Sequence, residues 1–213
     1  MTVIIINPNS TASMTQAMVQ QAQRAVPGLA FEGWTSEEGP AAIQGPTDGD
    51  AASGPLLRLV EQASKAGAEG IIIGCFDDTA LDEAARRAPC PVIGLGQATY
   101  HYAALRGWRF SVVTTLPVSV PILEANIARQ GLTGFAARVR ASDVPVLALE
   151  EDAAAAGAAV VAEALRAEQE DDISAVILGC AGMVQVLQQV DRALTLPVID
   201  PVTCAARSMT WLL

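Results

Sequence analysis

Short apolar runs, each ended by a polar or glycine-rich turn, alternate along the whole chain with amphipathic stretches. Residues 3–6 (VIII) read as a buried strand, and Asn9, Ser10 or Thr11 stands where it can cap a helix from Met14 to Val26, closed by Pro27-Gly28. Residues 29–35 predict a second strand, and the Gly-, Pro- and acid-rich stretch from Ser36 to about Asp50 predicts a long loop. A helix over 51–66 follows. Strand 70–74 leads into Cys75, after which Asp77, Asp78 or Thr79 is placed to cap a helix over about 80–88. VIGLG resumes a strand and residues 97–106 a helix. The pattern then restarts: FSVVTTLPVS, residues 110–119, predicts strand, polar turn and a helix with Pro117 near its start. A strand and loop from 137, an Ala-rich helix over 152–168, strand ISAVILGC, a helix over about 183–194, strand PVID and a last helix from about Thr203 complete the chain.

Strands alternating with helices throughout predict an α/β fold with parallel sheets. The halves also repeat in order: VIIINPN with FSVVTTLP, IIIGCFDD with AVILGCAGM, and PVIGLG with PVIDPV. Such a repeat predicts two similar α/β lobes related by a pseudo-two-fold axis, residues 1–97 plus about 203–213 forming one and 98–202 the other. Equivalent strand ends then face one cleft, and ligands bind at strand ends in such sheets. Cys75 and Cys180, each in a strand-Gly-Cys setting, are therefore expected to face each other.

Composition narrows the function. The 213 residues are 51% hydrophobic and 17% charged, which describes an ordered globular chain. Aromatics are only 4%, so aliphatic residues must fill the core. No apolar run approaches the ~20 residues that span a bilayer, and the start lacks a basic segment, so a cytoplasmic protein is expected. A net charge of −10 without a basic patch argues against nucleic acid and anionic membranes. The four cysteines contain no CxxC pair and there is one histidine, so no metal site is expected. GLGQAT, residues 94–99, lacks the third glycine and the downstream acid of a dinucleotide loop.

Two opposed thiols suit racemisation at an acidic carbon, one thiolate removing a proton from one face while the opposite thiol delivers one to the other. Helix N-termini would lower their pKa, whereas Asp77 and Asp78 would raise it if they point inward. Asn7, Asn9, Ser10 and Thr11 at the first strand end, and Thr114 and Thr115 at its counterpart, are candidate hydrogen-bonding groups for a polar ligand. The strand-end loops hold no Lys or Arg, which favours an uncharged substrate. Cys90 and Cys204 read as packing residues, and of the two Cys204, after the last strand, is the one more expected near the cleft. Other classes stay open: a cysteine hydrolase using His101 as base, or a non-catalytic small-molecule binder.

INPNST, GCFDDTAL, PVIGLGQA, FSVVTTLPVSVPILE, VPVLALE, VILGCAGM and PVIDPV, in that order, resemble the hydantoin racemase branch of the aspartate/glutamate racemase superfamily, which includes allantoin racemases. The resemblance implies an Asp/Glu racemase-like fold and a cofactor-independent racemase of 5-monosubstituted hydantoins using Cys75 and Cys180. It also implies substrate contacts at Asn9, Thr114, Thr115, Ala181 and Gly182, and a homo-oligomer. The superfamily's decarboxylase branch works with one cysteine, so two favour racemisation. The chain departs from the family at Thr79-Ala80, where Pro-Gly is usual, and at Ala42 and Gln44, where Ser and Glu are usual. These changes bear on the substrate, allantoin or an acidic amino acid being the alternatives, more than on the chemistry.

Overall fold

The computed structural model describes residues 1–213. Its apolar runs form eight parallel strands in two sheets. The first holds β1 (Thr2–Asn7), β2 (Ala30–Thr35), β3 (Gly70–Ile73) and β4 (Val92–Gly94) in the order β2-β1-β3-β4. The second holds β5 (Phe110–Thr114), β6 (Ala136–Ala141), β7 (Ala175–Leu178) and β8 (Val198–Ile199) in the order β6-β5-β7-β8. The two orders are the same permutation, and the detail repeats too. Gly74 N donates to Ile6 O and Gly179 N donates to Val113 O, each at 2.8 Å. In each sheet the chain leaves the first strand outward and returns on its other side, which creates a switch point beside β1 and beside β5.

The central strands are buried on both faces. Ile5, Ile72, Val112 and Ile177 share a core with α1 (Ala12–Ala25), α4 (Leu95–Leu105), α5 (Val120–Arg129) and α9 (Pro201–Leu212), so these helices lie between the sheets. Ile4, Ile6, Ile71 and Ile73 face outward onto α2 (Pro46–Lys65) and α3 (Leu81–Arg87). Val113, Val176 and Leu178 face α7 (Ala153–Glu170) and α8 (Leu187–Ala193). Full burial of an aliphatic side chain contributes roughly 1.5–3 kcal/mol, against the ~1 kcal/mol that strand propensities span. Packing on both faces therefore holds strands as short as these. Tyr100 of α4 joins the halves: its ring meets Phe76 edge-on at 5.6 Å and stacks on Phe110 at 5.9 Å.

Several local expectations change. The long loop is shorter, because α2 begins at Pro46 and runs through Pro55. Proline at the first helical position loses no hydrogen bond, and Asp48 accepts from Gln44 N at 2.9 Å. A short helix, α6 (Ala148–Glu151), interrupts the expected loop before α7. The single helix expected after Cys180 is a 3-10 turn, Ala181–Gln185, followed by α8. None of Asp77, Asp78 and Thr79 caps α3, whose N-cap is Ala80. Asp78 caps α4 instead, accepting from Gly96 N at 3.0 Å and Gln97 N at 2.8 Å. The glycines of GLGQAT permit this approach, since a Cβ on Gly94 would sit 2.0 Å from Asp78 Oδ1. The helix end that a phosphate loop would offer to a ligand is taken by an internal carboxylate.

Candidate functional site

The C-terminal ends of β1, β3, β5 and β7 meet around one cavity. Cys75, Cys180, Asn9, Thr114, Thr115, Ala181 and Gly182 all line it, together with Met14, Ile43, Asp77, Ser119 and Val146. Both thiols are partly buried and unbridged. Each follows a glycine with no room for a side chain: a Cβ on Gly74 would lie 2.9 Å from Met18 Cε, and one on Gly179 would lie 2.7 Å from Val112 Cγ1. The strand ends that precede the two cysteines are thus packed tightly.

The polar groups divide into committed and free. Asn7 is fully committed; its Nδ2 donates to Asn9 Oδ1, Thr15 Oγ1 and Thr11 O. Asn9 Oδ1 also accepts from Thr11 N at 3.0 Å, whereas Asn9 Nδ2 meets only Met14 Sδ at 3.6 Å. That amide group is free to donate to a ligand. Thr114 donates to Gly179 O at 3.0 Å, so it holds the strand end before Cys180. Thr115 and Ser119 are buried at the same wall.

Asp77 supplies the one formal charge on the cavity wall. The sequence admits it as a cap, but its Oδ2 is buried and has no hydrogen-bond partner. Burial pushes its carboxyl up to about 7. Burial also dominates the thiols. It pushes Cys180 up to about 12, against the amides of Gly182 and Met183 that pull the other way. Cys75 is pushed higher still, first by burial and then by the Asp77 charge, opposed by the Thr79 hydroxyl and the Asp77 amide. The pull expected from helix N-termini is outweighed, because α3 starts only at Leu81 and Cys180 precedes a 3-10 turn rather than a long helix.

Other candidates fall outside the cavity. His101 is exposed on α4 with Nδ1 against Gln97 O, and it does not line the site, so neither thiol has an imidazole base there. Cys204 lies buried between α4 and α9, donating to Ala98 O at 3.3 Å, rather than near the cleft. No group of three His, Cys, Asp or Glu side chains is arranged to hold a metal ion. No helix is long and apolar enough to cross a membrane.

Two loops meet beside the cavity. Gln44 Oε1 accepts from Val146 N at 2.8 Å, tying the segment before α2 to the segment after β6. Met14, Ala42 and Val146 pack together beside Cys180 and form an apolar wall. The free volume inside is about 30 Å³, room for roughly two waters. Ile43 and Val146 are not legible as ligand contacts in the sequence, because an apolar wall built from two distant loops has no local signature.

Comparison with known proteins agrees with this geometry. Residues 3–209 match the family model described as Asp/Glu/Hydantoin racemase. A hydantoin racemase of Rhizobium meliloti is 41% identical over 207 residues, covering 95% of this chain and 85% of the relative. A hydantoin racemase of Paenarthrobacter aurescens is 34% identical, covering 97% and 89%. The solved structure of an allantoin racemase from Klebsiella pneumoniae superposes with a TM-score of 0.93 at 34% identity, covering 99% of this chain and 86% of that one. With two parallel sheets of identical strand order, paired strand-end thiols and a family match over nearly its full length, the chain belongs to the Asp/Glu/hydantoin racemase family.

Proposed function

We propose that the chain is a cofactor-independent racemase, an isomerase, of 5-monosubstituted hydantoins, with Cys75 and Cys180 as its two acid/base groups. The observation that carries this reading is the pair of thiols at repeat-equivalent strand ends on one small cavity. A hydantoin carries an acidic C5–H beside a ring carbonyl. The thiolate of one cysteine takes that proton, forming its S–H bond while the C–H electron pair moves onto the carbonyl oxygen. The opposite thiol then protonates C5 from the other face, the electron pair returns to carbon, and the second sulfur is left as thiolate. The roles reverse for the other enantiomer. Asn9 Nδ2 and the Thr115 hydroxyl are suited to hold the developing oxyanion. Burial makes each thiol a strong base once deprotonated, at the expense of the fraction deprotonated. The two titrate as a coupled pair.

The same lining bears on the substrate. No cation is present to hold an α-carboxylate, which disfavours aspartate and glutamate. Met14, Ile43 and Val146 suit a hydrocarbon substituent better than the ureido group of allantoin.

Circular dichroism of optically pure 5-benzyl- and 5-alkylhydantoins, allantoin and aspartate tests the reading. Hydantoins should lose optical activity fastest. Cys75→Ser and Cys180→Ser should each abolish racemisation while one still exchanges the C5 proton of one enantiomer with D₂O. Full racemase activity in both single variants would end the two-thiol account.

A further inference from the structure

Asp77 has a buried acceptor and no donor to satisfy it. Its backbone is pinned on both sides: the carbonyl accepts from Asn126 Nδ2 at 2.8 Å, and the amide is turned toward the Cys75 sulfur. The position of its Cα is thereby fixed beside Cys75. Asp77 lines the same cavity as both thiols, and its charge acts on each of them. Leaving such an oxygen unpaired is expensive for the fold. The donors on the same wall, Asn9 Nδ2 and the Thr115 hydroxyl, match carbonyl oxygens. A ring that presents carbonyls and an N–H would use both kinds of group.

We propose that Asp77 is the substrate's N–H acceptor, holding the ring N–H bonded to the carbon that exchanges its proton, and that it restricts the site to substrates with a donor there. This rests on the hydantoin reading above. Three atoms are bonded to that carbon besides hydrogen: the carbonyl carbon, the substituent and the ring nitrogen. Of these, only the nitrogen carries a donor that suits a carboxylate. Asp77 also disfavours any ligand that brings a carboxylate to this position, because like charges would meet with no cation to screen them. Carboxylate-bearing substrates are thus rejected by an added repulsive element as well as by the lack of a cation.

The test replaces that N–H by an atom of similar size. In a 5-substituted oxazolidine-2,4-dione, ring oxygen stands where the hydantoin has N–H, and the C–H remains acidic. The ratio of kcat/KM for hydantoin over oxazolidinedione is measured for the native protein and for Asp77→Leu, which keeps the bulk without the acceptor. Intrinsic acidity differences cancel between the two ratios. The native ratio should exceed the variant ratio by roughly 10- to 100-fold, the worth of a hydrogen bond to a charged group. If the variant turns over too slowly, the concentrations of each ring that protect Cys75 from iodoacetamide supply the corresponding ratio of affinities, in which the same hydrogen bond counts. Asp77→Ala is read in the same way should the leucine variant not fold. Equal ratios in native and variant proteins overturn the proposal and leave the racemase reading standing. Failure of the native chain to racemise any hydantoin overturns that reading, and the proposal with it.

Discussion

Asp77 should weaken the fold above acid pH, and Asp77→Asn should relieve that cost. Its carboxyl titrates near 7 in the folded chain, against an ordinary value of 3.8. The folded state therefore binds the proton more tightly than the unfolded chain does. Stability from this group is full below the ordinary value and is lost as pH rises through the folded one. Between pH 5 and pH 8 the native protein should lose about 2.5 kcal/mol through Asp77. The amide has no such titration, and any fixed penalty for burying it cancels when the two pH values are compared. Denaturant unfolding of both proteins at pH 5, 6, 7 and 8 measures the difference. The variant should gain on the native protein mostly between pH 5 and 7 and level off by pH 8, and Asp78, also pushed up to about 7, adds to the gain because the Asp77 charge helps raise it. Parallel stability curves would show that the carboxyl finds a partner in solution, and the account of an unpaired acceptor would fail.

Burial holds Cys180 up to about 12 and Cys75 above that, so racemisation and iodoacetamide labelling should both rise with pH through roughly pH 9, past the ordinary thiol value of ~8.5. A plateau below pH 8 would contradict this, and Asp77→Asn should speed labelling at fixed pH. Ala80 adopts φ 50°, the left-handed region that favours glycine, so Ala80→Gly should stabilise the fold by about 0.5–1 kcal/mol. Unchanged denaturant midpoints would place the strain elsewhere. Asp78→Ala removes the cap of α4 and should cost about 2 kcal/mol in the same unfolding assay, with loss of racemase rate as the turn after Cys75 loosens.

Much of this molecule is written locally in its sequence. VIII, SVV, III and AVIL are short, largely β-branched runs that suit a strand buried on both faces, and their order repeats, so two similar parallel sheets could be expected. The strand-Gly-Cys echo put Cys75 and Cys180 at equivalent ends for the same reason, because strand termination and glycine packing are short-range effects. Distant pairing was not legible. Asp78 reads as a cap for the helix beside it, yet it caps α4 some twenty residues on, since only the folded chain brings that helix end against the turn. Asp77 is identical in type and adjacent in sequence, but its oxygen is left buried and unpaired. Thr114 and Thr115 are likewise neighbours of one kind, one spent on Gly179 O and the other at the cavity wall. The apolar wall joins Met14 to Ala42 and Val146, more than a hundred residues apart at its extremes. The basicity of the thiols depended on this burial as well. Residue type and spacing determined where the chemistry stands; desolvation and long-range hydrogen bonding, which exist only once the chain has folded, decided which charges it works with.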